Sequence, residues 1–290
     1  MNPYIQSLRL RTLPLSMSGI ILGSGLAWKN CPQLFHTWKG VFVFALAICT
    51  TLSLQILSNL ANELGDALKG TDSDQTGREA YGLQAGTITQ GQIKNMIWLF
   101  VCLCVLFGSA LIYSAFGSLF CVQSLVFIGL GLLAIIGAVT YTLGRHSYGY
   151  IGLGDLGVFV FFGLLSTLGV YYLQTQTLTW EVISCGVAIG LPCVGVLNLN
   201  NIRDMANDQV HGKRTFAGLL GQTGGRIYHT CLLVGCLTLF AAFGHWWTLC
   251  ILPVWGWHIW YVWTHTDKLD KQMPVLMLTT LIVAVLAVIS

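Results

Sequence analysis

Charge is scarce in this sequence: 9% of its 290 residues are Asp, Glu, Lys or Arg, whereas 55% are hydrophobic. A soluble domain carries about 25% charged residues. So little charge over this length excludes an ordinary soluble globule and suits a chain solvated by a bilayer. The length suits one membrane domain, 1–290, with no room for a second soluble one. There is no long basic stripe, which argues against a nucleic-acid partner. No small-residue cleavage site follows Arg9 and Arg11, so the first apolar stretch is expected to be a span, not a removable signal. Ten cysteines are present, but all except Cys31 sit inside apolar runs, where a free thiol behaves as a small hydrophobe. Cys102 and Cys104 have no second ligand pair near them, so zinc is not expected.

Apolar runs are what the chain has in quantity. Nine are long enough to cross about 30 Å of hydrocarbon: roughly 12–28, 40–60, 93–114, 118–141, 151–173, 180–199, 228–244, 246–264 and 273–290. Between the seventh and eighth there is only the thin connector Gly244-His245. The expected fold is an all-α integral membrane protein of about nine helices. With the N-terminus in the cytoplasm, nine spans put twelve Lys and Arg on that side and only Lys29 and Lys39 on the other. That is the positive-inside pattern of a cytoplasmic membrane, with the C-terminus on the opposite face.

Ten of the eleven acids fall on the same side, leaving only Glu181 opposite. The positive-inside rule does not ask for acids, so something else must place them. They concentrate in two expected loops. One follows the second span: Asn59, Asn62, Glu63, Asp66, Lys69, Asp72, Asp74. The other follows the sixth: Asn198, Asn201, Arg203, Asp204, Asp208, Lys213, Arg214. Both open with Asn-Leu-x-Asn, which suggests a parallel internal repeat. Asn62 and Asp66 are four apart, as are Asp204 and Asp208. On a helix each pair shares one face. Two such pairs could hold Mg2+, which takes one or two carboxylates, several waters and substrate phosphate oxygens. Lys69, Arg203, Lys213 and Arg214 are interleaved and suit the remaining phosphate charge. The implied ligand has a diphosphate head and a greasy tail. Asp74 and Glu79 taken alone, and Asp267 and Asp270 with Lys268 and Lys271, read instead as solvated loop residues.

The paired motifs resemble those of the UbiA superfamily of intramembrane prenyltransferases. Asn62, Glu63, Asp66 and Asp72 match its first motif, with Glu63 where the family often has Asp. Asp204, Asp208, Gly212, Lys213 and Thr215 match the second. Leu8 to Pro14, Gly82 to Thr89, and Tyr148 to Asp155 followed by Phe161-Phe162-Gly163 are similar to the branch that prenylates 1,4-dihydroxy-2-naphthoate.

That resemblance implies nine helices around a central cavity under a cytoplasmic cap. It implies a Mg2+-dependent enzyme acting on a polyprenyl diphosphate and an aromatic acid, with no obligate protein partner. Asp66, Asp72, Asp204 and Asp208 would be metal ligands and catalytic, with Asn62 assisting and Asn201 orienting. Lys213, Arg203 and Arg145, with Lys69, would clamp the diphosphate. Tyr141 and Tyr148 would wall the allylic cation, and Arg11 would meet a substrate carboxylate or the diphosphate. Pro192 is expected to interrupt the sixth span near the second station. Glycines 129, 131, 137, 186, 190 and 195 are expected to serve helix packing. Other readings are the hydroxybenzoate, homogentisate or haem branches, a lipid phosphotransferase, and an ion-coupled transporter. The transporter should carry an acid near the midplane, and here the acids stand at span ends.

Overall fold

The computed structural model describes residues 2–70, 82–145, 147–265 and 268–290. Among them there is no strand, only an isolated parallel bridge between Ile151 and Arg214. A five-residue helix α1 (Pro3–Ser7) precedes α2 (Leu13–Asn30), α3 (Trp38–Lys69), α4 (Gln90–Phe116) and α5 (Val122–Thr140). A continuous helical rod follows, made of α6 (Gly154–Val158), a π-helical stretch Phe159–Leu165 and α7 (Ser166–Thr175). Then come α8 (Trp180–Val210), α9 (Phe216–Ala242), α10 (Leu252–Thr264) and α11 (Gln272–Ile289).

Threonine starts four of these helices. Thr37, Thr89, Thr179 and Thr215 each accept, through the side chain, a backbone N–H three residues on, at 3.1–3.3 Å. Each satisfies one of the donors a helix start leaves open. Gly70 and Gly117 close α3 and α4 with φ of 72° and 75°, the left-handed turn that glycine adopts without strain.

Seven helical segments among the described residues are long and apolar enough to cross a bilayer: α3, α4, α5, the rod 154–175, α8, α9 and Leu269–Ile289. The chain is therefore an integral membrane protein. The first and eighth expected spans coincide with α2 and with a 3-10 stretch, Trp246–Ile251, leading into the 13-residue α10. Neither is among the seven, so nine crossings are not shown. The physical reason is local. α2 is diluted by Ser16, Ser18, Ser24 and Asn30, and Pro253 restarts the helix within the eighth run.

α8 runs through the middle of the bundle, with most of its apolar stretch buried, whereas α4 and α5 leave most of theirs exposed. It packs along α9, while α2 lies against α11 and α7. Pro192 lies inside α8. Gly186 and Gly190 let the rod approach: a Cβ on Gly163 would stand 2.6 Å from the Gly190 Cα. Gly137 likewise makes room for the Phe161 ring, while Gly129 and Gly131 face open space. Exposed Trp28, Trp38, Trp180, Trp246 and Trp247 mark the end of the bundle away from the two acidic stations, where amphipathic rings suit a membrane interface.

The acidic stations are not loops. Residues 59–69 are the last turns of α3, and residues 198–210 are the last turns of α8. No breaker separates them from the apolar runs, so each helix continues past its hydrophobic segment. Asp72, Asp74 and Glu79 lie outside the described residues, as does Asp267.

Candidate active site

A cavity of about 1100 Å³ lies within the bundle. Its polar end carries Asn59, Asn62 and Asp66 from α3 and Asn200, Asp204 and Asp208 from α8. On each helix the three side chains fall at spacings of three or four, so each set forms one stripe down one face. Arg11, Tyr141, Tyr148, Arg203 and Lys213 share that end. The deeper wall is apolar, with Ile20, Ala47, Leu54, Leu130, Phe161 and Leu165 among its residues.

The opening asparagine of each station is a tie. Asn59 Nδ2 donates to the Leu8 carbonyl at 2.9 Å and to Thr12 Oγ1 at 3.0 Å. This holds the N-terminal segment, with Arg9 in the left-handed region (φ 50°), against α3. Asn198 Nδ2 donates to the Gly225 carbonyl at 2.9 Å and fastens α9 to α8. Asn62 accepts Thr142 Oγ1 at 3.1 Å, and Thr142 also donates to the Ala61 carbonyl at 3.0 Å. Gly65 makes this approach possible, since a Cβ there would sit 2.5 Å from Thr142 Oγ1.

Tyr150 joins the two stations. Its hydroxyl donates to Asp66 Oδ1 at 2.9 Å, and its carbonyl accepts the Arg214 N–H at 3.0 Å. The Lys69 ammonium lies 3.6 Å from its ring centroid and that of Lys213 5.6 Å. An ammonium over a ring face is attracted by the ring quadrupole. Lys69 also donates to Ser147. Tyr141 and Tyr148 meet edge to face with centroids 5.2 Å apart. Burial pushes the Tyr148 phenol up to about 12 and raises that of Tyr141 as well, so both stay neutral in the cell.

The carboxylates differ in what holds them. Asp204 takes a two-point contact from Arg203, Nε to Oδ1 at 2.7 Å and Nη2 to Oδ2 at 2.6 Å. The same guanidinium reaches Asn200 Oδ1 at 2.5 Å and also Asp270. Asp208 is buried, with Oδ1 3.3 Å from the Lys213 ammonium and, among the described residues, no hydrogen-bond partner at Oδ2. A buried carboxylate oxygen without a donor is costly. It suits a hard cation, and so does the surrounding set of carboxylate and amide oxygens. Among the described residues no three His, Cys, Asp or Glu side chains form a ready-made metal cluster. An ion here would complete its shell with water and ligand oxygens, which is how Mg2+ is commonly held.

The UbiA prenyltransferase family model matches residues 16–286. The chain belongs to this family. It is 44% identical to the 1,4-dihydroxy-2-naphthoate octaprenyltransferase of Escherichia coli (strain K12), over 88% of this chain and 79% of that protein. The protein of the same name from Haemophilus influenzae is 42% identical over 82% and 75% of the two chains. Among solved structures, a UbiA homologue from Archaeoglobus fulgidus bound to GPP and Mg2+ aligns over the whole of both chains, with TM-score 0.64 and 12% identity. The apo UbiA homologue from Aeropyrum pernix K1 aligns with TM-score 0.64 at 16% identity, over 100% of this chain and 98% of that one. At such identities the likeness is one of fold.

In this UbiA family chain, nine sequence-predicted residues line the cavity: Asn62, Asp66, Asp204, Asp208, Lys213, Arg11, Arg203, Tyr141 and Tyr148. Lys69 stands behind them through Tyr150 and Ser147. Asn201 is buried and off the wall, and Asn200 takes the place expected of it, because the α8 stripe runs 200, 204, 208. Arg145 is exposed and not on the wall. Glu63 faces away from the cavity. Buried, it accepts Ser7 Oγ at 3.3 Å and the Leu83 N–H at 2.7 Å. Asp270, expected in a solvated turn, reaches the site through Arg203, and both it and Lys271 line the cavity. Residue spacing could have pointed to Asn200. Tyr150 and Asp270 carry no such signal.

Proposed function

We propose that this protein transfers a polyprenyl group from an allylic polyprenyl diphosphate to 1,4-dihydroxy-2-naphthoate. Carboxyl loss and diphosphate release would accompany the transfer, giving a demethylmenaquinone-type product for menaquinone biosynthesis. The observation that carries this reading is one cavity with both acidic stations at its polar end and an apolar well behind them. The names of the 44% and 42% identical relatives supply the acceptor. The acidic end is taken to face the cytoplasm of a bacterial inner membrane, following the Lys and Arg count, with the C-terminus opposite.

Mg2+ would be held by Asp66, Asp204 and Asp208 with Asn62, and by Asp72. When bound, it would neutralise charge on the departing diphosphate. Lys213, Lys69 and Arg203 would carry the rest of that charge, helped by Arg145 from the rim. For Arg203 this requires loosening its contacts with Asp204 and Asp270. Asn201 would support the α8 stripe from behind. Tyr141 and Tyr148, as neutral phenols, would present ring faces to the allylic carbon as the C–O bond breaks. Arg11, tied in place with the N-terminal segment, would orient the acceptor carboxylate.

The test is a membrane assay with dihydroxynaphthoate, an allylic diphosphate and Mg2+, run beside hydroxybenzoate and homogentisate. Product from dihydroxynaphthoate, lost on chelation and restored by Mg2+, supports the reading. Product from hydroxybenzoate or homogentisate alone replaces the acceptor. No metal dependence removes the ion.

A further inference from the structure

Asp155 stands behind the aromatic wall of the cavity. It belongs to the first turn of α6 and does not line the cavity itself. Its glycine neighbours carry the wall. A Cβ on Gly154 would stand 3.2 Å from the Tyr141 hydroxyl oxygen, and one on Gly157 would stand 2.7 Å from the Tyr148 ring. Gly149 is as close, with a Cβ 3.0 Å from Tyr141 Cζ. The two rings are seated directly on backbone, so their placement follows that of α6. Gly154 and Gly157 share one face of the helix, and Asp155 points about 100° round from Gly154, on the side away from Gly157.

On that side α9 takes hold of it. The Tyr228 hydroxyl donates to the Asp155 carboxylate. Among the described residues Asp155 forms no ion pair, and its Oδ2 is shielded from solvent without a hydrogen-bond partner. An acid served by one phenol is a costly way to fill this position, but it makes the Tyr228 bond the strong, charge-assisted kind. Tyr228 is itself braced, because its ring meets Phe216 edge to face with centroids 4.8 Å apart. Twelve residues of straight helix would separate the two by about 18 Å. Gly221, with φ 71° and ψ 177°, breaks α9 between them and brings the rings together. Phe216 directly follows Lys213, Arg214 and Thr215 of the second motif. One line of contacts therefore runs from that motif through Tyr228 and Asp155 to the ring wall.

We propose that Asp155 is a positioning residue for the prenyl-transfer step, the anchor of a latch that Tyr228 closes. The latch holds α6 to α9 and so keeps the Tyr141 and Tyr148 rings against the allylic carbon as its bond to diphosphate breaks. This rests on the reading of the reaction as prenyl transfer from a diphosphate. With the latch open the rings shift, and water competes with the acceptor. The C–O bond to diphosphate still breaks, a water oxygen bonds to the carbon and gives up a proton to solvent, and the products are prenyl alcohol and diphosphate. A displacement of about 1 Å at a reacting centre costs up to about a hundredfold in rate, so a loosened wall should be measurable.

The experiment uses the full chain in lipid nanodiscs with Mg2+, radiolabelled geranylgeranyl diphosphate and the aromatic acid that the wild type prenylates. It reads kcat, the KM for the donor and the ratio of prenyl alcohol to prenylated product. Tyr228→Phe removes only the hydroxyl, and Asp155→Ala removes the carboxylate. Each should lower kcat about tenfold and raise the alcohol ratio about tenfold, with the donor KM within about twofold of wild type. Asp155→Asn keeps an oxygen for the Tyr228 hydroxyl and should recover most of the loss. Binding of an unreactive thiolodiphosphate analogue of the donor reports that each variant is folded, and Tyr228→Phe carries the test if the alanine variant does not fold. An alcohol ratio unmoved by opening the latch overturns the proposal. So does an asparagine variant as impaired as alanine beside an unimpaired Tyr228→Phe, since the charge and not the latch would then be at work. Because the acceptor is whichever the wild type uses, a wrong acceptor leaves this result intact, while a wild type that releases no diphosphate from the donor overturns the prenyl-transfer reading itself.

Discussion

The Tyr150 hydroxyl donates to Asp66 at 2.9 Å while the Tyr150 carbonyl takes the Arg214 N–H. One residue of a short 3-10 turn thus spans two helix ends that are more than a hundred residues apart in sequence. Tyr150→Phe keeps the ring beneath Lys69 and Lys213 but removes the donor to Asp66. A hydrogen bond to a charged group is worth about 1.5–3 kcal/mol, so kcat/KM for the prenyl donor should fall about tenfold or more. Steady-state kinetics check this, and an unchanged value would show that Asp66 is oriented without Tyr150.

Asp66→Ala and Asp208→Ala should each cut turnover by about a hundredfold or more, since each strips a charged oxygen pair from the polar end of the cavity. Both proteins should still insert and elute as single species after detergent extraction. Full product formation by either variant would remove that residue from the site.

Asp270 bears on the site through Arg203. With Asp270→Asn, the guanidinium is left to Asp204 and Asn200 and should grip the Asp204 carboxylate more firmly. The Mg2+ concentration for half-maximal rate should rise about tenfold, the lower end of what indirect partners of a metal site contribute, because Asp270 is half-exposed and screened. Asp270→Glu should restore it. A drop in maximal rate at an unchanged Mg2+ requirement would argue against this coupling.

Glu63 should act on stability, not on chemistry. It takes Ser7 and the Leu83 N–H in a buried position. Glu63→Ala leaves those donors unmet and should cost about 1–3 kcal/mol, seen as a lower unfolding temperature of the detergent-solubilised protein. Lost activity without lost stability would place Glu63 among the reacting groups.

Much of the site could be read without coordinates. Asp66, Asp204 and Asp208 stand out because acids at helical spacing beside long apolar runs have no reason to be there unless something needs them. Asn200 is not legible in this way. Matching the two Asn-Leu-x-Asn openings selects Asn201, whereas the rotation of α8 against α3 selects Asn200, and rotation is set by packing at Gly186, Gly190 and Gly163. Asp270 reads as a solvated turn residue because nothing along the chain announces an arginine reached from another helix.

Hydrophobic runs, the one-sided distribution of charge and the doubled acidic motif determined on their own that this is a helical membrane protein with acids gathered at one end. Those features depend on solvation and helical period, which are properties of each segment by itself. Tertiary structure alone decided that the two stripes face one cavity and that Tyr150 ties them. Such relations depend on how separate helices are turned and fitted against one another.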